Sequence, residues 1–155
     1  MQRVMIHPAT YENCQIAVDR AFELFPQYIA GKKVVIKPNV LRASEAAEHI
    51  VTNPALLRAV IEKVETMSPL EIIVGDNPGL FNYGDNENSF EKTGLMAAAK
   101  GYYKNLGDSM QNLSFNPDYM AEVGVSQAIM DADIFISLPK FKTHGLTVMT
   151  GAIKN

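Results

Sequence analysis

The sequence predicts a three-layer α/β domain, with a mainly parallel sheet and helices on both of its faces. Three observations carry this. Short apolar runs rich in β-branched residues recur at 34–37, 70–74 and 134–138, as strands buried on both faces do. Stretches with helical spacing alternate with them. Each run stops at a loop punctuated by Pro or Gly.

Taken in order, Val18, Ala21, Phe22 and Phe25 share one face of a first helix, which Pro26 ends. Gly31-Lys32-Lys33 turns the chain into the first strand, and Pro38 stops it. Residues 39–52 read as loop. Asn53 is a good N-cap and Pro54 suits a first helical position; Leu56, Leu57, Val60, Ile61, Val64 and Met67 form the stripe of this second helix. Ser68-Pro69 closes it and the second strand follows. Residues 79–88 are rich in Asn, Asp and Gly and read as loop. Ser89 caps a third helix running to Ala99, against which Gly94 counts. Residues 102–106 and 113–115 are weaker strand candidates, and the sheet is mixed if 102–115 forms a hairpin. Residues 124–130 read as a short helix before the last strand.

The chain has 155 residues and a mass of 17.1 kDa, enough for one self-sufficient core. Apolar residues make up 47% and charged residues 20%, which excludes intrinsic disorder. The net charge of −3 supplies no global field for nucleic acid or an anionic membrane, so any anion site is local. No run of about 20 apolar residues spans a membrane. The single cysteine, Cys14, forms no internal disulfide and no zinc ribbon, and it reads as packed at a helix start. A reducing, cytoplasmic location follows. The last residues, Gly151-Ala152-Ile153-Lys154-Asn155, form neither a terminal helix nor a polar tail. The expectation is one α/β domain over 1–155, cut from a longer protein, with homo-oligomers arising from the exposed face.

The three strands share a grammar. They end in Lys37-Pro38-Asn39, in Gly75-Asp76-Asn77-Pro78-Gly79, and in Pro139-Lys140-Phe141-Lys142-Thr143-His144-Gly145. In a parallel sheet these loops lie along the carboxyl edge, where open α/β sheets bind ligands. That edge offers Lys37, Lys140 and Lys142 as cations, Asn39, Asn77 and Thr143 as neutral hydrogen-bonding groups, Asp76 as an acid, and His144 as a base or metal ligand. Lys154 joins them if the chain after Gly151 lies above the same edge. Lysines gathered in an acidic protein point to a small anion: a phosphate, a nucleotide or a carboxylate. Gly75, Gly79 and Gly145 would let backbone approach that ligand. Taken singly, each has a plainer reading, as solvated lysine, tight turn or structural histidine. Their shared edge is what raises them. His7 and His49 lack a partner pattern, and Asp131 and Asp133 read as capping a helix-to-strand junction. No P-loop, G-x-G-x-x-G, H-E-x-x-H or C-x-x-C pattern occurs. Residues 85–89 resemble a calcium loop, but Phe90 stands where its glycine belongs.

The order and spacing of Val34-Val35-Ile36-Lys37-Pro38-Asn39, Thr52-Asn53-Pro54, Val74-Gly75-Asp76-Asn77-Pro78-Gly79, the block from Asp131 to His144, and Thr150-Gly151-Ala152-Ile153-Lys154-Asn155 resemble the domain of unknown function 362 family. The most specific part is the L-P-K-x-K-T-H…T-G-A-x-K-N block. The resemblance implies a longer parent, in which a C-terminal ferredoxin-like module carries 4Fe-4S clusters on cysteines and gives the family its iron–sulfur label. This chain has no such cysteines and is expected to bind no cofactor itself. A more distant similarity, to the nickel-pincer lactate racemases, implies an isomerase or racemase in which His144 is the acid/base and Lys154 holds a cofactor or substrate. A third reading makes the edge an assembly surface.

Overall fold

The computed structural model describes residues 3–45, 48–78 and 84–155. Its chain order is α1 (Cys14–Leu24), β1 (Lys33–Pro38), α2 (Pro54–Glu65), β2 (Glu71–Val74), α3 (Asn86–Lys92), α4 (Leu95–Ala98), β3 (Met110–Asn116), β4 (Met120–Ser126), α5 (Gln127–Met130), β5 (Ile134–Leu138), β6 (Lys142–His144) and β7 (Val148–Thr150). The class is α/β. The central sheet has three strands in the order β2-β1-β5, all parallel. The antiparallel pairs β3-β4 and β6-β7 form two separate two-stranded sheets.

The central strand shows why the apolar runs read clearly. Val34, Val35 and Ile36 are all buried, because both faces of β1 are covered. Val34 and Ile36 point into the larger core, with Val18 of α1, Leu57, Val60, Ile61 and Val64 of α2, and Phe90 and Leu95 of α3 and α4. Val35 points the other way, onto Ile73 and Leu106, with Ala128 and Ile129 of α5 beside them. The layers are therefore unequal. Four helices cover one face; a four-residue helix and the segment around Leu106 cover the other. Asp133 ties the amino ends of the sheet together. Its Oδ2 accepts from Lys33 N at 2.9 Å, which holds its carboxyl below the usual range.

Several expectations change. The helix from Ser89 to Ala99 is two helices, because Gly94 takes φ +75° and breaks it. Ser89 is buried inside α3 and caps nothing; α3 also removes the calcium-loop reading of 85–89. Residues 124–126 belong to β4, and the helix begins only at Gln127. Residues 102–106 form no strand beyond a single bridge between Tyr103 and Val74, and 113–115 lie in β3. The sheet is thus not mixed by a 102–115 hairpin: β3 pairs with β4 instead. Asn53 does cap α2, accepting from Ala55 N at 2.8 Å.

Candidate functional site

β1, β2 and β5 all point the same way, so their carboxyl ends share an edge. A clamp fixes the loop that leaves β1. Thr52 Oγ1 accepts from Asn39 N at 2.8 Å and donates to Leu138 O, at the end of β5, at 2.5 Å. Beyond β5, the β6–β7 hairpin folds over the edge. Its three-residue strands carry Lys142, Thr143 and His144 on one side and Thr150 on the other.

Between sheet and hairpin lies a cavity of about 340 Å³, lined by Lys37, Asn39, Asp76, Asn77, Lys142, Thr143, His144 and Lys154, among others. Eight of the nine site residues expected from the sequence surround this one space. Lys140 does not. Its Nζ donates to Tyr11 Oη at 3.1 Å and lies 5.8 Å from that ring's centroid, on a different crevice. Gly145 lines the cavity, and a Cβ there would meet nothing within 4 Å. Gly75 serves packing, not a ligand: a Cβ there would collide with Lys104 O and the Leu106 side chain. Gly79 lies outside the described residues. A larger, shallower depression of about 620 Å³ opens at the amino end of β2, between Glu65, Glu71 and Tyr102. It lacks a convergent set of polar groups and offers carboxylates to an anion.

The cavity's floor is an ion pair. Lys37 Nζ sits 2.5 Å from Asp76 Oδ1, with side chains 16% and 3% exposed. Asp76 Oδ2 accepts from Val40 N at 2.6 Å. Burial pushes the Asp76 carboxyl up from its ordinary value; Lys37 and the backbone N–H groups of Val40 and Asn77 pull the other way and offset only part of this. Lys37 Nζ also donates to Asn155 Oδ1 at 3.3 Å. Asn155 Nδ2 bridges β1 and β5, donating to Lys37 O and Ser137 Oγ at 3.2 and 2.9 Å.

The roof is cationic. Lys142 Nζ donates to Asn39 Oδ1 at 2.9 Å and to Ile50 O at 2.5 Å, so two neutral oxygens hold it in place. Burial lowers its pKa, the charges of Lys154 and Lys140 lower it further, and the Asp76 carboxylate offsets part of this. Lys154 Nζ lies 2.7 Å from His144 Nε2. Among the described residues, Asn77 Oδ1 is buried without a hydrogen-bond partner.

The sequence reading missed Asn155, Thr150 and Ile50. Asn155 stood inside the Gly151–Asn155 stretch, but its bonds to Lys37 join residues 118 positions apart, which no local pattern reveals. Thr150 and Ile50 reach the cavity only through the hairpin and the 39–52 loop.

Among the described residues, no group of three or more His, Cys, Asp or Glu side chains is placed to hold a metal ion. An iron–sulfur cluster does not fit this chain either. Cys14 is its only cysteine, buried in the core with Sγ 3.4 Å from Tyr11 O, and burial raises its thiol pKa. No helix among the described residues is long and apolar enough to cross a membrane.

Fold and cavity together define an α/β domain with a polar, lysine-bearing pocket at the carboxyl edge of a parallel sheet. The model of the family described as "Domain of unknown function (DUF362)" matches residues 34–155, from the first strand to Asn155, and the chain belongs to that family. A curated relative, the "Thylakoid-associated protein sll1697" of Synechocystis, is 27% identical over 136 residues, which is 81% of this chain. The match spans 38% of that relative's length. No solved structure matches significantly.

Proposed function

We propose that this domain binds a small anion, a phosphate, nucleotide or carboxylate, in the cavity between the sheet edge and the β6–β7 hairpin. One observation carries the reading. Among the described residues, three lysines, Lys37, Lys142 and Lys154, line the cavity against one carboxylate, Asp76, and that carboxylate is already matched by Lys37. Lys142 and Lys154 are left for a ligand. Among the described residues, the hydrogen bonds of Lys142 Nζ go to neutral acceptors, and the one carboxylate whose charge favours it, Asp76, is engaged with Lys37. Asn77 and Thr143 line the same space and supply neutral hydrogen-bonding groups. In a longer protein, any cluster-bearing redox module would be a separate domain with its own cysteines. A reducing, cytoplasmic setting agrees with the single buried thiol.

Thermal unfolding with inorganic phosphate, AMP and citrate tests this. A ligand at a hundredfold excess over its Kd stabilises by about 2.7 kcal/mol, roughly 5–10 °C for a chain of this size. Lys142→Met removes the shift; Lys140→Met, which alters the separate crevice, preserves it. No saturable shift with any of the three anions, or equal loss in both variants, overturns the reading.

A further inference from the structure

The ammonium donors of the cavity can be counted, three N–H bonds to each lysine. Lys37 Nζ directs two of its three at Asp76 Oδ1 and Asn155 Oδ1, and Asp76 matches its charge. Among the described residues, Lys142 Nζ uses two, on Asn39 Oδ1 and Ile50 O, and Lys154 Nζ has one polar contact, with His144 Nε2. One N–H of Lys142 and at least two of Lys154 are left over. The charges count the same way. Among the described residues no Asp or Glu other than Asp76 lines the cavity, and residues 1–2, 46–47 and 79–83, outside that set, contain none. Two positive charges therefore stand unmatched, one on β6 at Lys142 and one beyond β7 at Lys154. They are near enough to act on each other, since the charge of Lys154 lowers the Lys142 pKa. Two like charges in one space disfavour each other until a counter-ion of double charge lies against both.

We propose that the cavity selects dianions over monoanions of the same shape, with Lys142 and Lys154 as the two halves of a clasp. The ligand class is a phosphate monoester or a dicarboxylate. A monocarboxylate or a sulfonate satisfies one lysine and leaves the other unmatched. Asn39 Oδ1 and Ile50 O hold Lys142 in position without cancelling its charge, so that half of the clasp is in place before the ligand arrives. This selectivity rests on the anion-binding reading above and narrows it.

Matched pairs of ions separate charge from shape. Sulfate and methanesulfonate are both tetrahedral and differ by one charge; succinate and its monoamide, succinamate, differ in the same way. Each is titrated into the 155-residue chain at neutral pH and constant ionic strength, with the backbone amide NMR signals of 142–145 as the readout. The expected result is that the dianion of at least one pair binds about tenfold or more tighter than its monoanion, a factor within what one added charge contact supplies between bulk water and a protein surface. Lys142→Met and Lys154→Met each bring that ratio to within about twofold of unity, because either change leaves a single unmatched cation. Lys92→Met, exposed on α3 and outside the cavity, preserves it. The same spectra show whether each variant is folded. Selectivity in the sulfate pair alone assigns the clasp to phosphate monoesters, and selectivity in the succinate pair alone assigns it to dicarboxylates. Saturable binding of all four ions with both ratios near unity leaves the anion site standing and overturns the clasp, as does a ratio that survives Lys154→Met. Absence of saturable binding by any of the four overturns the anion site and the clasp together.

Discussion

Replacing Asp76 by alanine and by asparagine separates what its charge does from what its oxygens do. The side chain is 3% exposed and serves two donors, Lys37 Nζ at 2.5 Å and Val40 N at 2.6 Å. Asp76→Ala takes the acceptor from Val40 N and leaves Lys37 with Asn155 Oδ1 but no countercharge, and removing one partner of a buried pair costs about 3–5 kcal/mol. That is a large share of the roughly 5–15 kcal/mol that holds a domain together. Asp76→Asn keeps the shape and one acceptor oxygen, and Lys37 keeps Asn155 Oδ1, so the loss is about 1–2 kcal/mol. The asparagine is mild because burial raises the Asp76 pKa: the folded site does not favour the charged form. The sign with pH follows. With the folded pKa above the unfolded one, the native state holds the proton more tightly between the two values. Stability therefore falls as pH rises from the ordinary aspartate value through the folded one. Urea unfolding of wild type and both variants at several pH values reads all of this. If Asp76→Asn loses as much as Asp76→Ala, or if the wild-type advantage over Asp76→Asn grows across that window, the charge dominates and burial does not.

Other outcomes follow from single contacts. Lys142 has a lowered pKa in the folded state, so the native state sheds its proton first. Its contribution to stability then rises with pH up to the ordinary lysine range, and Lys142→Met abolishes this alkaline gain in urea titrations. Gly75→Ala drives a methyl into Lys104 O and Leu106 and costs about 1–3 kcal/mol by chemical denaturation. Gly94→Ala meets only the Pro54 ring at 3.5 Å but must adopt φ +75°, so it loses about 1–2 kcal/mol through backbone strain alone; a gain in stability would show that α3 and α4 can merge.

The parts of the fold that were legible in the sequence are those where burial is one-dimensional. Val34, Val35 and Ile36 are covered on both faces and so form an unbroken apolar run, and Asn53-Pro54 marks a helix start by local chemistry alone. The β3–β4 pair was illegible because most of its residues are exposed, so no alternation of apolar and polar residues marks it. Gly94 weakened the helical reading of 89–99 but could not say where the break fell. At the site, parallel strands made the address of Lys37, Asp76 and Lys142 readable. The direction of Lys140 was not readable, because Tyr11, its partner, lies 129 positions away.

The two walls of the pocket are built to different standards of firmness. One belongs to a sheet interleaved with the main core; the other hangs on a pair of three-residue strands, with Leu146, Val148 and Met149 open to solvent. So short a ribbon opens far more readily than the sheet beneath it. Occupancy should therefore register as slowed amide exchange over 142–150, while 33–38, already locked, stays silent. The cradle is half anvil and half latch, and the latch is where a guest makes itself felt.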